Sequence, residues 1–150
     1  MHETQRTRML ALVPFCAVLG LSLTGCGFIQ DVRKSSEDAW AVTYEISTDS
    51  ATETPLSAVE YVDRDGRLEE PKTITIDDVA ALPGTVGNSA GWAVDTIAVA
   101  GDDVSFSATP AADVSASCRI LLDGEREIAS FQGEPGEAVN CVATTPQFEQ

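Results

Sequence analysis

Short stretches of alternating apolar and polar residues recur along the chain from Trp40 onward. Such alternation places every second side chain on the same side of an extended strand, so it is typical of β-structure. In residues 41–46, Val42, Tyr44 and Ile46 share one side. Further stretches of this kind, each predicting a strand, cover residues 56–62, 72–76, 92–100, 104–108, 117–122, 127–131 and 138–142.

Turn-forming residues separate these stretches. Asp65-Gly66 and Asp123-Gly124 are dipeptides that favour tight hairpin turns. Residues 77–91 contain one proline and three glycines, and this composition predicts a loop or an irregular edge, with room for a short strand. Within 56–62, strict alternation places Leu56 and Val59 on opposite sides of the strand.

Short strands with frequent turns and almost no helical periodicity predict an all-β fold, a single immunoglobulin-like antiparallel β-sandwich. The folded domain is expected over residues 40–143, followed by a C-terminal tail over 144–150. About 105 residues form one domain of ordinary size, and no internal repeat is visible.

The N-terminal segment has a different pattern. Arg6 and Arg8 precede an apolar run over residues 9–23, which is too short for a comfortable membrane span. The run closes on Leu23-Thr24-Gly25-Cys26, which matches a lipobox. This pattern predicts that residues 1–25 are a signal peptide, and that Cys26 becomes the first residue and carries a diacylglycerol lipid.

Two acyl chains would anchor the protein stably, since each buried methylene contributes roughly 0.8 kcal/mol. The expected location is therefore the extracytoplasmic face of a bacterial cell membrane, with residues 26–39 as lipidated cysteine and tether. The alternative is an uncleaved N-terminal anchor helix in which Cys26 is an ordinary cysteine.

The charge balance excludes one class of partner. The chain carries a formal net charge of −15, and removing residues 1–25, with two arginines and one glutamate, leaves about −16. Such a chain repels nucleic acid and gains nothing from an anionic lipid surface.

The cysteines leave one pair after processing. Cys16 departs with the signal peptide and Cys26 is lipidated, so Cys118 and Cys141 remain in an oxidising compartment. A disulfide between them is expected. A metal or redox pair is the rival hypothesis, but the chain lacks a C-x-x-C motif, and its single histidine, His2, lies in the signal peptide.

One catalytic motif is present, since Gly87-Asn88-Ser89-Ala90-Gly91 matches G-x-S-x-G. That motif indicates a hydrolase when a strand feeds a helix and a histidine base stands nearby. The segment is predicted to be a flexible loop, because its surroundings are β-rich and the mature chain has no histidine. A lysine base would have to be Lys34 or Lys72, and no spacing supports either.

Acidic and aromatic residues were also considered as binding sites. Asp63, Asp65 and Gly66 resemble a fragment of a calcium loop without its closing ligand. The pairs at 77–78 and 102–103 are expected to be solvated turn residues. Of Trp40 and Trp92, at least one is expected in the core. The sequence predicts no catalytic residue, no metal site, and no cofactor beyond the lipid on Cys26.

Several short motifs occur in a fixed order across residues 40–143. They are residues 42–46, Ala58–Asp63 with Asp65-Gly66, and above all Ser117-Cys118-Arg119-Ile120 leading to Asp123-Gly124. Residues 136–141, which end in the second cysteine, complete the pattern. In these motifs residues 40–143 resemble the MmpS family of actinobacterial transport accessory proteins.

The resemblance implies a small immunoglobulin-like sandwich that serves a large RND-type permease exporting lipids, siderophores or drugs. Two departures are evident. Family members have an N-terminal transmembrane helix where this chain has a lipobox. They also place a tryptophan after Leu-Pro in mid-domain, whereas Leu82-Pro83 is followed by Gly84.

The function expected from the sequence is therefore a non-catalytic, lipid-anchored accessory protein of such an exporter, with the permease and a lipidic cargo as partners. The alternative is a free-standing lipoprotein that binds a small ligand or a cell-envelope component.

Overall fold

The computed structural model describes residues 39–148, and these residues form eight antiparallel strands and no helix. The predicted all-β class is confirmed, and each predicted stretch lies in a strand, except that residues 100 and 138 lie just outside the strands that contain the rest of their stretches. The bounds are β1 Ala39–Thr48, β2 Thr54–Asp63, β3 Lys72–Val86, β4 Ser89–Val99, β5 Asp103–Pro110, β6 Ala116–Leu122, β7 Arg126–Gln132 and β8 Val139–Thr144.

Each strand is hydrogen-bonded to the next in one continuous series, which we call the ladder series, in the order β7-β6-β1-β4-β3-β2-β5-β8. The long strand β3 changes partner within this series. It pairs with β2 as far as Ala81, opposite Thr54, and with β4 from Leu82, opposite Gly91. Residues 77–86 are thus strand, and of the two predicted alternatives for 77–91 the loop is wrong except at the turn 87–88. The irregular edge describes the end of β3 better, since the β3–β4 register shifts between Pro83 and Val86.

The series bends back on itself, because residues far apart in the strand order meet. Cys118 of β6 and Cys141 of β8 form a disulfide with their Cα atoms 6.1 Å apart. Antiparallel neighbours lie about 4.8 Å apart, so six steps along a flat sheet could not bring these strands together. The two halves of the series therefore enclose a common core.

The centre of this core is the inward side of β1. Val42, Tyr44 and Ile46 are fully buried, as their alternation predicts. The Tyr44 ring packs against Phe106 of β5 and Tyr61 of β2, with ring centroids 5.8 Å apart in both pairs. Burying side chains of this size contributes roughly 1.5–3 kcal/mol each, so β1 stabilises both halves at once.

The Tyr44 hydroxyl makes the fold sensitive to alkaline pH. It donates a 2.8 Å hydrogen bond to the carbonyl of Val62. Burial, and secondarily the negative charge of Asp63, raise the pKa of Tyr44 well above its ordinary value. The unfolded chain therefore releases this proton near pH 10 while the folded chain retains it, so stability falls as pH rises above about 10.

We expect Tyr44→Phe to flatten this decline. One such proton changes the free energy of unfolding by about 1.4 kcal/mol per pH unit. Urea unfolding at pH 8 and pH 11 measures the effect. The pKa values of Tyr61 and Lys72 are also raised, so a smaller decline remains in the variant. Equal declines in the wild type and the variant would contradict the assignment to Tyr44.

A bulge in β2 changes which side chains of this strand point to the core. Ala58 has a φ of 49°, in the left-handed region, and the β2–β5 register shifts between Ser57 and Glu60. An extra residue in one strand reverses the alternation beyond it. Leu56 and Val59 are consequently both buried, and the prediction that they lie on opposite sides is wrong.

Residues after β8 close over the start of β1. The Trp40 indole N–H donates to the carbonyl of Pro146 at 2.9 Å, and its ring stacks on Phe148 with centroids 4.0 Å apart. Thr145 is buried, and its hydroxyl donates to the carbonyl of Val99 at 2.7 Å. These contacts fix the point at which the chain enters the domain.

Candidate functional site

The G-x-S-x-G motif lies in a β-hairpin. Gly87 and Asn88 form the turn between β3 and β4, where Val86 pairs with Ser89. Gly87 has a φ of 61°, which a glycine adopts without strain. Ser89 begins β4, so the described chain does not place it in the strand–turn–helix setting of a hydrolase nucleophile. The only histidine in the sequence, His2, lies outside the described residues.

The last glycine of the motif has a packing role. Gly91 lies between β1 and β3, opposite Ser47 on one side and Leu82 on the other. A Cβ atom there would lie 2.6 Å from the carbonyl oxygen of Ile46 and 2.7 Å from a methyl group of Val86. Glycine is therefore required because the backbone of β1 and the side chain of Val86 leave no room for a Cβ atom.

We expect Gly91→Ala to lower the free energy of unfolding by about 1–3 kcal/mol, since overpacking next to backbone cannot relax easily. Chemical denaturation measures the loss. Ser89→Ala, two residues away, is the matched control and should change stability by no more than about 0.5 kcal/mol. An unchanged midpoint for Gly91→Ala would contradict the packing role.

The calcium-like fragment belongs to a network of ion pairs. Lys72 lies 2.6 Å from Asp65 and 4.0 Å from Asp63. The Arg64 side chain, which is 10% exposed, pairs with Asp102 at 2.6 Å. These contacts tie the β2–β3 connection to the turn after β4. Within residues 39–148, no group of three or more potential ligands is arranged to hold a metal ion.

The remaining acidic and aromatic candidates also have structural positions. Asp77 and Asp78 are exposed, as expected, but they lie within β3 and not in a turn. Trp92 packs against the core, between Tyr61 and Phe106. Trp40 is partly buried beneath Phe148, so neither tryptophan is a freely exposed recognition residue.

The predicted disulfide between Cys118 and Cys141 is present, and both cysteines are buried. It holds β8 over β6. The neighbouring outermost strand, β7, pairs Phe131 with Cys118, so the Phe131 side chain points to the same side as the disulfide. Nothing in the described chain covers it fully, and Phe131 is 46% exposed.

A groove runs between the outer strands β7 and β8. It has a volume of about 550 Å³, and its exposed apolar side chains are Phe131 and Val142, the latter 64% exposed. We name it the β7–β8 groove, lined by Ile128, Ala129, Ser130, Phe131, Ala138, Asn140, Cys141 and Val142. The two strands occupy opposite ends of the ladder series, so each has one unpaired edge within the described residues.

The register of the β5–β8 ladder determines which N–H and C=O groups of β8 point to its open edge. The N–H of Thr145 donates to the carbonyl of Asp102 at 2.8 Å, which continues the β5–β8 ladder. Bonded and non-bonded pairs alternate along an antiparallel ladder. Cys141 and Ala143 therefore bond to β5, whereas the N–H and C=O groups of Val142, and likewise of Asn140, point to the open edge.

The same alternation applies to β7. The N–H of Gly133 donates to the carbonyl of Ala116 at 2.9 Å, which continues the β6–β7 ladder. Phe131 therefore bonds to β6, whereas the backbone groups of Ser130 and Gln132 point away from it. Both sides of the groove thus present unpaired backbone donors and acceptors.

The surroundings of the groove are acidic. Glu127 lies on β7, and Glu134 and Glu137 lie in the connection from β7 to β8. None of these three carboxylates forms an ion pair within residues 39–148. Arg126, at the start of β7, is the one cation on the two strands.

Three basic residues elsewhere in the domain are already paired with carboxylates. Arg119 lies 2.5 Å from Glu45, and Arg64 and Lys72 are paired as described. The negative charge of the domain is therefore largely uncompensated from within. A partner that approaches the groove meets an acidic field, which favours basic groups.

Comparison of the chain with protein-family models and with curated proteins finds no match. The family resemblance noted from the sequence therefore stays a prediction. No helix in residues 39–148 is long and apolar enough to cross a membrane. Cys26, the signal peptide and the tether up to residue 38 lie outside the described residues, so the lipobox also stays a prediction. Ala39, predicted as the last residue of the tether, begins β1.

Proposed function

We propose that the chain is a lipid-anchored, non-catalytic binding domain on the extracytoplasmic face of the membrane, and that it serves as the accessory protein of an RND-type exporter. The β7–β8 groove carries the proposal. It combines a half-exposed phenylalanine with two unpaired strand edges, and exposed edges of this kind are otherwise protected in stable monomers.

Each residue of the motif that carries the MmpS resemblance has a structural role, which supports the proposal. Cys118 forms the disulfide, Arg119 pairs with Glu45, and Ile120 is fully buried in the core. Asp123 and Gly124 have φ angles of 53° and 72°, which suit the tight turn from β6 to β7. These structural roles are the ones expected if this chain and the MmpS family share a fold along the motif.

We assign the fold to the immunoglobulin-like β-sandwiches. One layer would comprise β7, β6, β1 and β4, and the other β2, β5 and β8, with β3 contributing to both. Three features support this assignment: the change of partner in β3, the disulfide between β6 and β8, and the core shared by both halves.

The proposed anchor would keep the domain beside a membrane permease. If fully extended, the segment from Cys26 to Ala39 would span roughly 45 Å, at about 3.3–3.6 Å per residue. A tether of this length lets the domain dock on the extracytoplasmic part of a permease. A second membrane-embedded contact is unnecessary for that role.

Crosslinking the full-length lipoprotein in its own membranes, followed by mass spectrometry, tests the function. Capture of an RND-type permease is the expected result. Phe131→Ser should reduce the capture, whereas Leu82→Ser should not, because Leu82 is 49% exposed and lies outside the groove. Capture of only wall or lipid components at good yield would instead favour the free-standing lipoprotein.

A further inference from the structure

We propose that the β7–β8 groove binds an extended segment of a partner protein, which adds as a strand to the open edge of β8 and carries an apolar residue flanked by lysine or arginine. The inference rests on the proposed function only in taking the domain to be a binding module, since it does not require the partner to be a permease.

The position of Phe131 points to β8 as the edge that is extended. The disulfide places β8 over β6, and Phe131 of β7 faces the same side as Cys118 of β6. Neighbouring strands are separated by about 4.8 Å in every sheet. β8 contacts β7 as well as β6. A strand added at the open edge of β8 would therefore extend that layer over the exposed face of Phe131.

The backbone of β8 is suited to this addition. Asn140 and Val142 turn their N–H and C=O groups to the open edge, and both residues are solvent-exposed. Main-chain hydrogen bonds to an added strand give affinity that does not depend on its side chains, while pockets for alternate side chains give specificity. Here the exposed face of Phe131 would provide the apolar contact.

Charge selects the chemistry of the occupant. Glu134 and Glu137 lie in the connection that joins the two strands of the groove, and neither forms an ion pair in the described chain, so lysine or arginine beside the apolar residue would be attracted to them. A second copy of this chain would bring its own formal charge of −15 to the same place. Repulsion therefore disfavours self-association through these edges.

A photoreactive residue at position 131 of the full-length lipoprotein, in its own membranes, tests the proposal. We expect crosslinks to a protein peptide rich in lysine or arginine, and none from a probe at position 82. The same probe is then combined with Val142→Pro or with Val142→Thr. Proline removes an N–H that faces the open edge and leaves the β5 ladder intact, whereas threonine keeps the backbone donor.

Val142→Pro should lower the crosslinking yield by about tenfold or more, because it removes an edge hydrogen bond and its ring blocks the approaching strand. Val142→Thr should keep the wild-type yield. Asn140→Pro provides a second test of the same edge. Melting curves of each variant show whether the domain remains folded. The crosslinking yield of Val142→Pro is compared only with the yields of variants of equal stability.

Equal yields in the folded proline and threonine variants would overturn strand addition. Crosslinks only to lipid, or only to a second copy of this chain, would contradict the proposal that the occupant is a segment of a partner protein. If the general crosslinker captures a permease while the probe at 131 captures nothing, the proposed function survives and this inference fails. If neither experiment captures a protein, both fail.

Discussion

Replacing Cys26 with alanine should abolish lipid labelling of the chain and slow the removal of residues 1–25. The cysteine is the proposed attachment point of the diacylglycerol, so no other residue can take its place. Without the two acyl chains, the protein also loses the burial of their methylene groups in the membrane, which contributes roughly 0.8 kcal/mol of binding free energy per methylene. Metabolic labelling with a fatty-acid analogue, together with membrane fractionation, measures both effects.

Cys16→Ala is the matched control, because Cys16 lies in the predicted signal peptide and should leave the labelling unchanged. The pair of variants also separates the lipobox from its rival. An uncleaved anchor helix would retain residues 1–25 in both variants and would hold both at the membrane without lipid. A labelled, normally processed Cys26→Ala protein would therefore disprove the lipobox.

Local signals were sufficient to predict the strands. Alternation and Asp-Gly turns depend only on residues a few positions apart, and the buried side of β1 follows from them directly. The same alternation places Cys118, Ile120 and Leu122 on one side of β6, and all three are fully buried. Non-local information was unnecessary for these elements.

The bulge in β2 could not be predicted in this way. Glycine is the residue that usually signals a left-handed bulge position, but the chain has Ala58 there. The residue is held in the left-handed region by its neighbours, since the β2–β3 register is continuous while the β2–β5 register shifts by one. Tertiary pairing determines this conformation, and no local pattern reports it.

The extent of β3 was missed for a related reason. Pro83 and Gly84 are usually signs of a loop, but here they lie where β3 has left β2 and pairs with β4 alone. A strand with one neighbour tolerates proline, because the missing N–H can face the unpaired side. The composition of the segment indicated a loop or an irregular edge, but the choice between these two depends on contacts with residues far along the chain.

The candidate site was not predicted either. Phe131 points to the same side as Cys118, yet it is half-exposed because β7 is the outermost strand. Which strands end a sheet depends on pairing between distant segments. The β7–β8 groove is therefore a property of topology, and only the pairing of Cys118 with Cys141 was available from sequence to indicate that β6 and β8 meet.

Removing this disulfide should be the most destabilising change to the folded domain. We expect the double variant Cys118→Ala/Cys141→Ala to lose about 2–5 kcal/mol in the free energy of unfolding. The bridge closes a loop with a sequence separation of 23, for which the chain-entropy model gives roughly 3 kcal/mol. It also fastens β8, whose only ladder within the described residues is with β5.

Urea unfolding and thermal melting of the oxidised protein, the reduced protein and the double variant measure this contribution. The melting temperature should fall by roughly 8–20 °C in both disrupted forms. The reduced wild type is the matched control, since it keeps both cysteines and lacks only the bond. Identical melting of oxidised and reduced protein would show that the bridge does not stabilise the fold.

Loss of the bridge should also weaken partner capture at the β7–β8 groove at temperatures where the domain remains folded. The disulfide is what holds β8 over β6, so it sets the distance between the open edge of β8 and the exposed face of Phe131. A partner strand must use both features at once. Capture by the folded double variant at the wild-type yield would mean that β5 alone positions β8, and that the bridge serves stability without shaping the groove.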